Sequence, residues 1–188
     1  MNKEELYIDF DDTTVKSNKR FCELYNIDYH NHPDFKEANG ELEYKWNFAT
    51  QCPLIQQSDI SKYFNDKRFF IGLEFYEGAK EAIKRLSSKY IIKIPSMGWS
   101  DNLRYKDEFI NKNLGNHVEF IPINFDGAND KSSVDMSNGI HIDDNSRYLF
   151  SSNAKHKIAF GRVAEWNNNW DGIRFSNWEA LEIYLDKR

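Results

Sequence analysis

The chain has 188 residues, 40% of them hydrophobic and 15% aromatic, enough for the core of one domain. Acidic and basic residues are mixed along it and sum to a net charge of −5, so no basic track marks a surface for duplex nucleic acid. There is no apolar run of membrane-spanning length, no leader and no lipidation motif, and Cys22 and Cys52 lack CxxC or metal-ligand spacing, so the expectation is a reduced, soluble, cytoplasmic protein with no membrane partner.

The first element is a short apolar strand, Leu6-Tyr7-Ile8, which runs into Asp9-Phe10-Asp11-Asp12-Thr13. Side chains alternate along an extended chain, so Asp9 and Asp11 leave it on the same side. Like charges that close repel, and a divalent cation with oxygen ligands is the simplest group to sit between them. A solvated acidic turn is the competing reading. From Ser17 to Gly72 the chain offers a short helix with Phe21, Leu24 and Tyr25, a polar and aromatic stretch from Tyr29 to Trp46, and a helix over Ser58–Asn65, with no convincing strand. This predicts a helical cap over 17–72, inserted after the first strand and covering the strand ends, with 1–16 and 73–188 forming the core.

Beyond it, Ala79, Ala82, Ile83 and Leu86 form a one-sided helical stripe, and Lys89–Ile94 reads as a strand followed by Ser96. A helix starting near Ser100 or Asp101 carries Leu103, Phe109, Ile110 and Leu114 and stops at Gly115. Further strands are expected at His117–Ile123, Gly139–Ile142 and Lys157–Phe160, and a last helix at Asn177–Leu185. Such alternation predicts an α/β fold, a Rossmann-like parallel sheet with helices on both faces, whose ligands bind outside the carboxyl ends of the strands.

Gly139-Ile140-His141-Ile142-Asp143-Asp144 is a second strand that ends in acids, so Asp9, Asp11, Asp143 and Asp144 would meet at one sheet edge, as a magnesium site requires. Lys131 offers a cation and Ser96 a hydroxyl. Together they suit phosphoryl transfer, in which a carboxylate attacks while metal and cation neutralise the phosphoryl oxygens. His141, in mid-strand, reads as a hydrogen-bonded core residue, and Trp166, Trp170 and Trp178 as packing of the C-terminal segment over the sheet.

With these residues the chain resembles the haloacid dehalogenase-like hydrolases. The four motifs are Asp9-Phe10-Asp11-Asp12-Thr13, Ser96, Lys131 and Asp143-Asp144. Within them it looks most like the 5′(3′)-deoxyribonucleotidases, through Phe69-Phe70-Ile71-Gly72-Leu73-Glu74, Glu77 to Ala82, Arg104-Tyr105-Lys106, Asp130-Lys131 and Ile142 to Asn145. It departs from them in having Asp12 where Gly is usual and Pro95-Ser96 where Thr-Ser is common, and its segment between Lys131 and Asp143 is longer.

The resemblance implies that Asp9 attacks phosphorus to form an aspartyl-phosphate, and that Asp11 protonates the leaving oxygen and then activates water. Asp9, Asp11, Asp143 and Asp144 would hold Mg²⁺, and Ser96 and Lys131 would grip the phosphoryl oxygens. Lys106 would bind substrate. Trp46, Phe48, Phe69 and Phe70 could form an aromatic slot for a nucleobase, or simply the core of the cap. The expected activity is a Mg²⁺-dependent phosphomonoesterase acting on deoxyribonucleoside monophosphates, a reading compatible with a homodimer. Another small phosphomonoester, a polynucleotide 3′-phosphate, or a non-catalytic nucleotide- or metal-binding role are the alternatives. The acidic balance argues against the polymer, and retention of both Asp9 and Asp11 against the last.

Overall fold

The computed structural model describes residues 3–41 and 47–188. Six parallel strands form one sheet: β1 (Glu5–Ile8), β2 (Ile91–Gly98), β3 (Val118–Asn124), β4 (Gly139–Asp143), β5 (His156–Phe160) and β6 (Arg174–Phe175). Their spatial order is β3-β2-β1-β4-β5-β6. The chain therefore builds outward from β1 in one direction, returns to the centre, and builds outward from β4 in the other. In a parallel sheet the crevice between two such strands lies outside their carboxyl ends, at the point where the order reverses.

The central strands are apolar because both of their faces are covered. Every residue of β4 is buried, as are Leu6, Tyr7 and Ile8 of β1. Ile8 pairs with Ile142, and the Asp9 N–H donates to the Ile142 carbonyl at 2.9 Å, so the two acidic strand ends are fastened side by side. β2 runs on to Gly98, past the expected end at Ile94. It pairs with β1 only as far as Lys93, and from Ile94 it pairs with β3 alone, which leaves room for Pro95, a residue with no N–H to give. Ser96 thus lies inside a strand.

Between β1 and β2 the chain is helical, with α1 (Ser17–Tyr29), α2 (Phe48–Gln51), α3 (Ile60–Phe64), α4 (Lys67–Ile71) and α5 (Ala79–Leu86). The helix expected over Ser58–Asn65 is a 3₁₀ turn, Gln57–Asp59, leading into α3. α5 buries the stripe of Ala79, Ala82, Ile83 and Leu86 as its spacing requires. α6 (Ser100–Leu114) follows β2 and ends at Gly115, whose φ of 65° suits a residue without a side chain. Its N-cap position is Trp99 rather than Ser100 or Asp101. α7 (Ser146–Ser151) joins β4 to β5, and α8 (Trp178–Asp186) packs against α5. Neither α7 nor the two-residue β6 was legible in the sequence.

The helical segment after β1 shares its core with the sheet. Phe21, Leu24, Tyr25, Phe69 and Phe70 belong to one apolar cluster with Leu6, Ile8, Ile92 and Ile94. Polar ties fix it further. Asn102, on the first turn of α6, donates its backbone N–H to Asn65 Oδ1 at 2.9 Å and its side-chain amide to the Phe64 carbonyl at 2.9 Å. Gly98 permits this, since a Cβ there would lie 2.2 Å from Asn102 Oδ1.

Trp178 closes the core behind the acidic loop. It is 1% exposed, packs on Phe160 at 5.7 Å between ring centroids, and donates its indole N–H to the Thr13 carbonyl at 3.0 Å. Trp178→Ala leaves a cavity and an unpaired carbonyl, and should cost about 3–5 kcal/mol of stability in urea denaturation. A loss under about 1 kcal/mol would show that the pocket collapses without it.

Candidate active site

β1 ends at Ile8, and the chain turns at once. The Thr14 and Val15 N–H groups both donate to the Phe10 carbonyl, at 3.0 and 3.1 Å, and Thr14 Oγ1 donates to the Asp9 carbonyl at 2.7 Å. Asp12 takes the left-handed conformation, φ 50°, at the position where the deoxyribonucleotidases usually have glycine. Aspartate is among the few residues that tolerate it, and Asp12 Oδ1 accepts the Asn18 N–H at 3.1 Å at the start of α1. The turn breaks the strand alternation, and Asp9 and Asp11 consequently face different partners.

The Asp9, Asp143 and Asp144 carboxylates converge, each offering an oxygen within 4.8 Å of the others. Asp11, expected in the same set, stands outside it. Its carboxylate accepts from Ser17 Oγ at 2.6 Å and from Lys106 Nζ. Lys106 is 1% exposed, contrary to what an isolated helix-face lysine would be, and it also donates to Ser96 Oγ at 2.9 Å and the Met97 carbonyl at 2.8 Å. Ser96 is fully buried beneath it and does not line the cleft. Lys131 is likewise fully buried, its Nζ bound to Asp9 Oδ1 and, at 2.7 Å, to Asp143 Oδ2, with the Tyr148 ring centroid 5.1 Å away.

Among the described residues, two buried lysines pair with these acids, Lys106 with Asp11 and Lys131 with both Asp9 and Asp143. Burial, helped by Asp143 and Asp11 and opposed by Lys131, pushes the Asp9 carboxyl up to about 7. Burial, then Asp143, Asp9 and Asp12, raise Asp144 well above the usual carboxylate range, although it keeps some contact with the cleft. Burial would raise Asp143 too, but Lys131 and His141 together outweigh it and hold that acid below its ordinary value. For Lys131 burial works against the charge, and Asp143 and Asp9 outweigh it, keeping the ammonium protonated. The three convergent carboxylates of Asp9, Asp143 and Asp144 are a donor set that fits a hard dication.

Asp144 is gripped at three points. Its N–H donates to Thr13 Oγ1 at 3.0 Å, its carbonyl accepts Asn167 Nδ2 at 2.8 Å, and Oδ2 accepts the Trp166 indole N–H at 2.7 Å. Trp166 was read as packing. The available signal was its place in the loop after β5, at the carboxyl edge of the sheet. His141 Nε2 lies 3.2 Å from Asp143 Oδ2 without hydrogen-bond alignment, and neither ring nitrogen has a partner among the described residues, unlike the satisfied core histidine expected. Burial lowers its proton affinity, so the ring is neutral.

A cleft of about 290 Å³ opens from Asp9, Asp11, Lys131 and Asp144. Phe48, Ile60, Phe64, Met97, Trp99 and Phe125 also line it. Trp99 and Phe125 rings meet at 4.9 Å, and Phe64 lies 6.4 Å from Trp99. The aromatic slot expected from Phe69 and Phe70 is not built from them. Phe69 is fully buried and packs on Phe64 and Phe70, Phe70 packs on Tyr105, and neither lines the cleft. Their apolar neighbours on α1 and α6 draw them into the core. Trp46 falls outside the described residues.

A carboxylate centre at the reversal of a parallel α/β sheet, with two buried lysines beside it, is the architecture of a hydrolase working on phosphoryl groups. The chain belongs to the family of the 5′ nucleotidase, deoxy (pyrimidine), cytosolic type C protein, whose model matches residues 3–186, and is a haloacid dehalogenase-like phosphoric monoester hydrolase. No curated protein matches it in sequence. Among solved structures it resembles a predicted phosphatase from Clostridium acetobutylicum, with 12% identity, a TM-score of 0.69 and all of both chains covered. A haloacid dehalogenase-like hydrolase from Streptococcus pneumoniae shares 15% identity at a TM-score of 0.64, over 97% of this chain and 98% of that one. The hydrolase YfnB from Bacillus subtilis, bound to magnesium, shares 12% identity at 0.58, over 99% and 100%. These likenesses establish the fold.

Burial pushes the Asp9 carboxyl up to about 7, so a cation binding there would displace a proton below that pH. Mg²⁺ affinity measured by calorimetry should therefore weaken as pH falls below about 7, by up to about tenfold per unit, and level off above it. An affinity constant between pH 5.5 and 8 would contradict this charge arrangement.

Proposed function

We propose that the protein is a Mg²⁺-dependent 5′(3′)-deoxyribonucleotidase that dephosphorylates deoxyribonucleoside monophosphates through an aspartyl-phosphate on Asp9, with residues 17–72 acting as the cap that selects the substrate. One observation carries the reading. One cleft is lined both by the acids Asp9, Asp11 and Asp144 and by the rings of Phe48, Phe64, Trp99 and Phe125, so a phosphate and a flat base could be held in the same cavity.

In this reading Asp9, Asp143 and Asp144 hold the metal, and Mg²⁺ supplies positive charge to the phosphoryl oxygens and to the Asp9 carboxylate. An Asp9 oxygen forms the bond to phosphorus as the bond from phosphorus to the ester oxygen breaks. Asp11, oriented by Ser17 and Lys106, gives its proton to that leaving oxygen. The same carboxylate then takes a proton from the water that releases phosphate. Lys131 and Lys106 are buried at the floor of the cleft, where their charge stabilises the transferring group more than it would in water. Ser96 serves through Lys106, whose ammonium it helps to orient.

Two experiments test this. Asp9→Asn should abolish phosphate release without disturbing the melting transition, and Asp11→Asn should be severely impaired. Near-normal turnover by the Asp9 variant would rule out the covalent route. Trp99→Ala should raise KM for deoxyribonucleoside monophosphates about tenfold or more, from ~1–3 kcal/mol of lost stacking, while hydrolysis of a small aryl phosphate changes little. Equal losses on both substrates would leave the phosphatase reading standing and remove the nucleotide from it.

A further inference from the structure

We infer that Trp166 is a positioning residue for the metal centre: its indole N–H fixes the Asp144 carboxylate in the orientation that a divalent cation requires. The inference rests on the metal-dependent reading of the site and assigns a role to a residue outside its four sequence motifs.

The geometry is specific. Nε1 of Trp166 donates to Asp144 Oδ2 at 2.7 Å, which leaves the other carboxylate oxygen unclaimed by the indole. The backbone on both sides of that carboxylate is held as well, by Thr13 Oγ1 on the N–H and Asn167 Nδ2 on the carbonyl. The loop that brings Trp166 here is itself anchored. Its carbonyl accepts from the N–H and Oγ of Ser146 at the start of α7, at 3.2 and 2.8 Å. Asn167 Oδ1 accepts the Ala164 N–H at 2.9 Å, and the Asn167 carbonyl accepts Arg174 Nη2 at 2.8 Å beside β6. The donor is thus aimed from a braced support.

The residue type matters. An indole is a donor only, carries no charge and does not titrate, so it can restrain a carboxylate without neutralising it. A lysine in its place would compete with the cation for the same acid, as Lys131 already does at Asp9 and Asp143. Asp144 crowds against Asp9 and Asp143, and without a restraint repulsion would turn it toward the solvent-filled cleft. Trp166 is only half-buried, so its side chain is not a keystone of the core.

The test is calorimetric titration of Mg²⁺ into the wild type, Trp166→Phe and Trp166→His, together with steady-state kinetics. Trp166→Phe keeps an aromatic ring and loses the N–H. It should bind Mg²⁺ about tenfold to a hundredfold more weakly, while kcat at saturating Mg²⁺ stays within about threefold. Trp166→His retains a ring N–H and should recover part of the affinity. Unchanged Mg²⁺ affinity in Trp166→Phe, a raised substrate KM with unchanged Mg²⁺ affinity, or loss of the folded state would each overturn the assignment. In those cases the indole would be, respectively, idle, a substrate contact, or a structural element. A wild type that binds no Mg²⁺ would instead sink the metal reading of the site, and this inference with it.

Discussion

The structure depends on an electrostatic conflict placed on purpose at one point of the sheet. Asp9 and Asp143 are buried at the ends of adjacent strands, with Asp144, Asp11 and Asp12 beside them. Burying carboxylates together is costly unless each is paired or bridged by a cation. Lys131 joins Asp9 to Asp143, and Lys106 holds Asp11. Burial first, and then the neighbouring acids, raise the proton affinity of Asp9 and Asp144.

Topology makes the conflict sustainable. Because the strand order reverses between β1 and β4, the crevice outside their carboxyl ends is not filled by a crossover, and the acids meet there with access to the cleft. The neighbouring elements supply the restraints. The loop after β1 provides Thr13 and the start of α1 Ser17, α6 sends Lys106 back across the end of β2, and the loop after β5 presents Trp166 and Asn167.

The helices between β1 and β2 share an apolar core with the sheet. Phe21, Phe69 and Phe70 pack continuously with Ile92 and Ile94, and Asn102 laces α3 to α6. The aromatic lining of the cleft is therefore shared, with Phe48 and Phe64 from the helical segment and Trp99 and Phe125 just past the ends of β2 and β3. A ligand between them would contact both parts at once.

The sequence by itself determined the α/β sheet, five of its six strands, the apolar stripe of α5, and the two acidic strand ends with their lysine and hydroxyl. These are local matters: periodicity of two or 3.6 residues, and acids directly after apolar runs, are written into consecutive residues. Only the tertiary structure decided that Asp11 pairs with Lys106 instead of converging with Asp9, Asp143 and Asp144, because a turn at Phe10 cancels strand alternation. It also decided that Ser96 lies under Lys106, since β2 continues through Pro95 along β3. Phe69 and Phe70 went to the core and Trp99 and Phe125 to the cleft, although all four are aromatic residues of similar appeal in sequence, because the choice depends on which surfaces the sheet brings opposite each ring. Trp166 became part of the acidic centre from 22 residues beyond Asp144, a contact between two loops at one sheet edge that no periodicity encodes.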